Sequence, residues 1–124
     1  MIDSSVNLLV VSAHAADFVW RGGGTIAKYV KHGANVKLII LSYGARGESN
    51  DLWNIEGQTL ENVKEIRHKE IEAATKCLGI EDYEIWDFED YFMTITPERM
   101  ERMVKKIREV RPHHILTHGP KDAF

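Results

Sequence analysis

Cysteine is almost absent: Cys77 is the single one in 124 residues, so no internal disulfide can form. Long apolar runs are missing as well. The longest, residues 8–11 and 38–41, fall far short of the ~20 residues that cross a bilayer, and no signal-like apolar segment opens the chain. An excess of one charge is also lacking. The 16 Lys plus Arg face 19 Asp plus Glu, a net charge of -3 that provides no electrostatic footprint for nucleic acid. These absences argue against a disulfide scaffold, a membrane span and a polybasic binder, and they make the cytoplasm the expected compartment. Composition itself is that of a folded chain, with 44% hydrophobic and 28% charged residues, and the length suits one domain around one core.

What is present is an alternation of short apolar runs with segments of helical period. Residues 7–12 read NLLVVS and residues 36–42 read VKLIILS, continuous apolar runs of the kind that form strands buried on both faces. Residues 84–88, EIWDF, make a shorter and more polar third run, and residues 114–117, HILT, a fourth. From about residue 20 to 32, Ile26, Tyr29 and Val30 share one helical face, and Gly33 supplies a stop. Over residues 58–78, Leu60, Val63, Arg67, Ile71, Ala74 and Leu78 recur three or four apart, with Gly79 as the stop. A third helix has the clearest start: Thr96 caps it, Pro97 takes the first helical position and Glu98 suits the positive end of the dipole. Met100, Met103, Val104, Ile107 and Val110 are its expected buried stripe, and Pro112 ends it.

The order β-α-β-α-β-α-β with buried strands predicts an α/β fold, a Rossmann-like parallel sheet with helices on both faces. With strand order 3-2-1-4, the topological switch falls between the first and fourth strands, and such sheets bind ligands there, at the carboxyl ends of the strands. Residues 13–24 and 118–124 therefore become the segments of interest, together with the long loop 43–57.

Residues 12–24 read SAHAADFVWRGGG. His14 and Asp17, three apart at a strand-to-helix junction, are either the start of a metal site or a hydrogen-bonded loop pair; zinc takes both ligand types and, in catalytic sites, usually three protein ligands. Gly22, Gly23 and Gly24 do not meet the GxGxxG pattern and no Lys-Ser/Thr follows, so tight packing of helix on strand is expected rather than phosphate binding. Arg46 is either a carboxylate binder, through bidentate guanidinium pairing, or a solvated loop charge. Arg67, on an otherwise apolar stripe, either pairs with Glu70 or turns toward the pocket. The acid-rich stretch 81–92, the mixed-charge third helix, the neighbouring His113 and His114, and Cys77 read as structural.

Taken together, AHAADFVWRGGG at residues 13–24, LSYGARGES at 41–49 and THGPKD at 117–122 resemble the LmbE-like, or PIG-L, family of zinc-dependent N-acetylglucosaminyl deacetylases, in register over residues 8–124. The resemblance implies Zn2+ as cofactor, with His14 and Asp17 as ligands. It sets Ala16 where the family carries its general base, so no catalytic residue is assigned. It also implies a substrate pocket bordered by Arg46 and Glu48, with Arg67 matching the family's R-x-x-E. The family's third zinc ligand lies beyond the end of the match; His118 and Asp122 are the substitutes to consider, although His118 aligns with an earlier family His and its expected role is to orient the loop.

Within the family these strings are most similar to the 4-oxalomesaconate hydratase branch. The resemblance thus implies zinc-dependent addition of water to a small unsaturated oxo-polycarboxylic acid such as 4-oxalomesaconate. An Ala16 methyl can neither take a proton from water nor pass one to a leaving amine, which disfavours amide hydrolysis. Two alternatives stay open: deacetylation of an N-acetylglucosaminyl substrate with Glu48 or Asp122 replacing the base, and a metal-free domain that only associates. Because the family's proteins are nearly twice this length, the chain is expected to be the front part of a single LmbE-like α/β domain, incomplete at its C-terminus. A homo-oligomer is expected, with no nucleic-acid or membrane partner.

Overall fold

An uninterrupted apolar run offers no polar face to water, and residues 7–12 accordingly become β1 (Asn7–Ser12), with Leu8, Leu9 and Val10 buried at the centre of the sheet. The computed structural model describes residues 1–121. After β1 come α1 (Asp17–Lys31), β2 (Asn35–Ile40), α2 (Asn50–Trp53), α3 (Leu60–Leu78), β3 (Asp82–Ile85), α4 (Pro97–Val110) and β4 (His114–Leu116). All neighbouring strands are parallel, in the order β3-β2-β1-β4, so the switch point lies between β1 and β4 as the sequence predicts.

The alternation of side chains along the strands divides the core in two. Leu8, Val10, Leu38 and Ile40 face one way, under Phe18 and Ile26 of α1 and Ile71 of α3. Leu9 and Ile39 face the other, against Trp86 and the Met103, Ile107 and Val110 stripe of α4. Each fully covered Leu or Ile contributes about 1.5–3 kcal/mol through burial. Two helices start on side-chain caps: Thr59 Oγ1 accepts from the Asn62 N–H at 3.1 Å and Thr96 Oγ1 from the Arg99 N–H at 3.2 Å. Of the three glycines in α1, Gly22 bears out the tight-packing expectation, because a Cβ there would stand 2.8 Å from Leu116 Cδ2; Gly23 and Gly24 face open space.

Four expectations need correction. The strands are not uniformly buried: β4 is a three-residue edge strand whose Ile115 is 49% exposed, because only β1 covers it. The α4 stripe is narrower than the periodicity implies, for Met100 and Val104 lie at its solvent margin. The third strand is set earlier than EIWDF; Trp86 and Phe88 follow it, donating their N–H groups to Ile40 O at 2.8 Å and Leu41 O at 2.7 Å. The 43–57 loop contains the short helix α2, whose four residues are too few to show a helical period. No helix of the described residues is long and apolar enough to cross a membrane.

At the amino end of the sheet, Glu84 Oε2 sits 2.8 Å from both Lys37 Nζ and Lys106 Nζ, and Lys37 also reaches Asp82 at 2.7 Å. Burial pushes the Glu84 carboxyl up, but hydrogen bonds from Lys106, Lys37 and Trp86 outweigh it and hold the group at about 2. The carboxylate therefore stabilises the fold above its ordinary value of 4.5, and this contribution disappears as pH falls toward 2. Urea unfolding of Glu84→Gln should show a loss of about 1 kcal/mol at pH 7 that shrinks to nothing near pH 2; the shift is discounted because water still screens the partly exposed side chain. A difference that stays constant with pH would refute the charge-based account.

Candidate functional site

The site gathers at the carboxyl end of the sheet because β1 and β2 stop there together. Leu41 N–H donates to Ser12 O at 2.8 Å and Ser42 N–H to Ala13 O at 3.0 Å, extending the pairing just past the strands. The chain then turns: Ser12 Oγ donates to His14 O at 2.8 Å, and α1 begins at Asp17 without a capping bond from the residue before it, Ala16. Asp17 instead braces the turn that leads into the helix. Its Oδ2 accepts the His14 N–H at 2.9 Å and lies 3.4 Å from His14 Nδ1, with its charge at the positive end of the helix dipole.

From the other side, the β2–α2 loop folds back over the mouth of the sheet. Gly44 takes φ +66, and a Cβ there would press on Glu48 and His14 within 3.4 Å, so the residue at this bend must be small and left-handed. The bend brings Glu48 Oε1 to 3.2 Å from His14 Nδ1. One imidazole nitrogen and two carboxylate oxygens, from His14, Asp17 and Glu48, thus lie within 4.8 Å of one another. His14 is buried, whereas the Glu48 side chain is 38% exposed. The hydrogen bond to Asp17 raises the His14 pKa above its ordinary value; burial opposes it, while the charges of Glu48, Asp17 and Asp90 add to it. For Asp17, burial is the largest influence and pushes upward, but hydrogen bonds from the His14 ring and N–H, with the charges of His14 and His118, bring the carboxyl below its usual range. A side-chain cluster that attracts a proton this way also suits a cation, and a nitrogen–oxygen donor set of this kind matches zinc.

His118 stands beside the cluster with Nε2 3.4 Å from Asp17 Oδ2, yet that same nitrogen accepts the Ala13 N–H at 3.0 Å. The bond ties the segment after β4 to the turn after β1. Asp122 lies outside the described residues. Arg67 makes the internal pair with Glu70, at 2.7 Å, and does more: Nε donates to Ser49 Oγ at 2.8 Å and a terminal nitrogen to Glu48 O at 2.6 Å. Arg46 is exposed, and its guanidinium makes no ion pair among the described residues.

Three contributors went unseen in the sequence. Asp90, in the acid-rich stretch read as structural, receives the Arg46 N–H at 3.2 and 3.1 Å and the Gly47 N–H at 2.6 Å. Ser49 donates to Gly44 O at 2.9 Å, and Trp53 Nε1 to Ala45 O at 2.6 Å. The only signal for them was the pair Gly44 and Gly47, whose missing side chains announce a close approach without naming what approaches.

With this geometry in view, comparisons with known proteins agree with one another. The family described as PIG-L, GlcNAc-PI de-N-acetylase, matches residues 9–123. The 4-oxalmesaconate hydratase of Pseudomonas putida is 41% identical over 116 residues, which cover 94% of this chain and 45% of that protein. The crystal structure of GalB, the 4-carboxy-2-hydroxymuconate hydratase from the same species, superposes with a TM-score of 0.90 at 39% identity, over 96% of this chain and 49% of that one. The 1D-myo-inositol 2-acetamido-2-deoxy-alpha-D-glucopyranoside deacetylase of Rhodococcus erythropolis is more distant, 29% identical over all of this chain and 49% of that protein. The chain spans about half the length of the curated relatives it matches.

The bond from Ala13 gives His118 a testable role. His118→Ala should leave a backbone N–H without its partner and cost about 1–2 kcal/mol in denaturant unfolding, while zinc stoichiometry measured by atomic absorption stays as in the unmodified chain. Loss of zinc with an unchanged unfolding midpoint would instead make His118 a ligand.

Proposed function

The chain belongs to the PIG-L family, and from that premise we propose that it acts as a zinc-dependent hydratase on a small unsaturated oxo-polycarboxylic acid of the 4-oxalomesaconate or 4-carboxy-2-hydroxymuconate type. The observation that carries the reading is the convergence of Asp17 and Glu48 on His14 Nδ1, at 3.4 and 3.2 Å. His14 and Asp17 would hold the zinc, and Glu48 would complete the donor set or border it. When bound, the metal supplies Lewis acidity, polarising an oxygen and easing the loss of a proton from water. Greater similarity to the hydratase, in sequence and in structure, than to the deacetylase supports hydration over amide hydrolysis.

Hydration puts the oxygen of water on one carbon of a conjugated C=C and a hydrogen on the other, with the electron pair drawn toward the conjugated carbonyl. No amine leaves, so no acid is needed to protonate one. Among the described residues at the site, Glu48, whose carboxylate is exposed beside His14, is suited to accept the proton from the attacking water. The Ala16 methyl can take no part in it. Arg46, exposed on the same loop, is suited to pair bidentately with a substrate carboxylate, whereas Arg67 is committed to Ser49, Glu48 O and Glu70.

With one equivalent of zinc, the chain should bleach the conjugated absorbance of 4-carboxy-2-hydroxymuconate and release no acetate from an N-acetylglucosaminyl substrate. His14→Ala and Asp17→Ala should lose stoichiometric zinc together with the activity. Glu48→Gln should weaken zinc binding about tenfold and slow hydration by about 10²-fold or more. Acetate release without hydration would establish the deacetylase instead, and deacetylation that emerges only in Ala16→Asp would show that the unmodified chain lacks it. A stable oligomer that binds no zinc would favour a purely associative domain.

A further inference from the structure

We propose that Asp90 is a positioning residue for this site, holding the backbone of residues 44–49 in the bend that sets the Glu48 carboxylate against His14. The inference rests on the reading that Glu48 belongs to the site. Its basis is a convergence of main-chain donors: the N–H groups of the successive residues Arg46 and Gly47 both point at the Asp90 carboxylate, at 3.2 and 3.1 Å and at 2.6 Å. Successive amides turned to one side form an anion-binding concavity, and here the anion is a side chain of the protein itself. Asp90 comes close enough because position 47 is glycine; a Cβ there would stand 3.2 Å from Asp90 Oδ2.

The segment that delivers Asp90 is built against local preference. Asp87 and Phe92 both adopt positive φ, +53 and +62, in a region that non-glycine residues rarely occupy. Such strain persists only where the surroundings enforce it. Lys64 holds Asp87 at 2.8 Å, and Arg99 grips Glu89 through two bonds of 3.0 and 2.8 Å while its guanidinium lies 3.9 Å over the Phe88 ring. These ties fix residues 87–89 from α3 and α4, so the carboxylate of Asp90 arrives beneath the loop at a set place. On the far side of Glu48, Arg67 binds Glu48 O and Ser49 Oγ. Glu48 therefore sits between two anchors, Asp90 on residues 46 and 47 and Arg67 on residues 48 and 49. The second anchor acts on the backbone carbonyl and the neighbouring hydroxyl, which leaves the Glu48 carboxylate turned toward His14.

The test uses Asp90→Ala and Asp90→Asn in the unmodified chain and in Glu48→Gln, with cobalt(II) as the probe, its visible absorption reporting affinity and coordination, and with amide hydrogen exchange read residue by residue. Asp90→Ala should weaken cobalt binding five- to tenfold and speed exchange at Arg46 and Gly47 by about 100-fold, while the amides of β1 and β2 keep their protection. In Glu48→Gln, the same change should alter cobalt affinity less than twofold, since the carboxylate that Asp90 positions is gone. Asp90→Asn keeps one acceptor oxygen and should fall between; it also serves if the alanine variant does not fold. Unchanged exchange at residues 46 and 47, or an equal loss of cobalt affinity in both backgrounds, would overturn the proposal. If Glu48→Gln alone leaves cobalt binding intact, Glu48 is not part of the metal site; the Asp90 anchor is then supported by faster exchange confined to residues 46 and 47 and refuted by its absence.

Discussion

One carboxylate oxygen organises the mouth of the sheet. Asp17 Oδ2 accepts the His14 N–H and lies between the His14 and His118 rings, which belong to the ends of β1 and β4. The turn from β1 into α1 is therefore closed by the same group that lends negative charge to the site. Structure and chemistry are coupled at that atom: whatever cation approaches His14 shares a partner that also fixes the backbone beneath it. A lone surface ion pair contributes little, but this carboxylate is largely buried and bonded to main chain, so its position is set before any ligand arrives.

The parts of the fold that the sequence disclosed are those governed by burial. Continuous apolar runs marked β1 and β2, the three- and four-residue spacing marked α3, and Thr96 followed by Pro97 marked the start of α4. The strand order taken with the Rossmann-like class is the one the sheet has. What escaped was set at the edges of the sheet. Whether Met100 or Ile115 is covered depends on how far the sheet extends past β4, and periodicity carries no information about a missing neighbour. In the site, His14 and Asp17 were legible because they are close in sequence as well as in space, and Glu48 through the resemblance of its loop.

Asp90 is the instructive failure. It is 42 residues from Glu48 in the chain, and its role is performed on backbone N–H groups, which every residue but proline possesses. Nothing in the identity of Arg46 or Gly47 as a side chain encodes an acceptor. The local surroundings of Asp90, six acids among aromatics, pointed to solvent rather than to a loop forty residues upstream. Arg67 was visible for the opposite reason, because a guanidinium on an apolar stripe has to find partners; the Glu70 pair was foreseeable from i,i+3 spacing, and the bonds to Ser49 and Glu48 O were not.

The choice between the two reactions then turns on where a proton can go. Amide hydrolysis needs one group both to take a proton from water and to return it to nitrogen, and a residue at the start of α1 would be well placed for that, next to Asp17 and within the same turn. There the chain has Ala16, which offers only a methyl. The remaining carboxylate, Glu48, comes from across the cleft on a loop held by its own backbone, so its approach to His14 is independent of the helix that carries Asp17. Two carboxylates delivered by separate elements can divide the tasks, one bonded to the main chain beneath His14 and the other exposed on the loop across from it. That division fits a reaction in which water is deprotonated and added to carbon without a leaving group to serve.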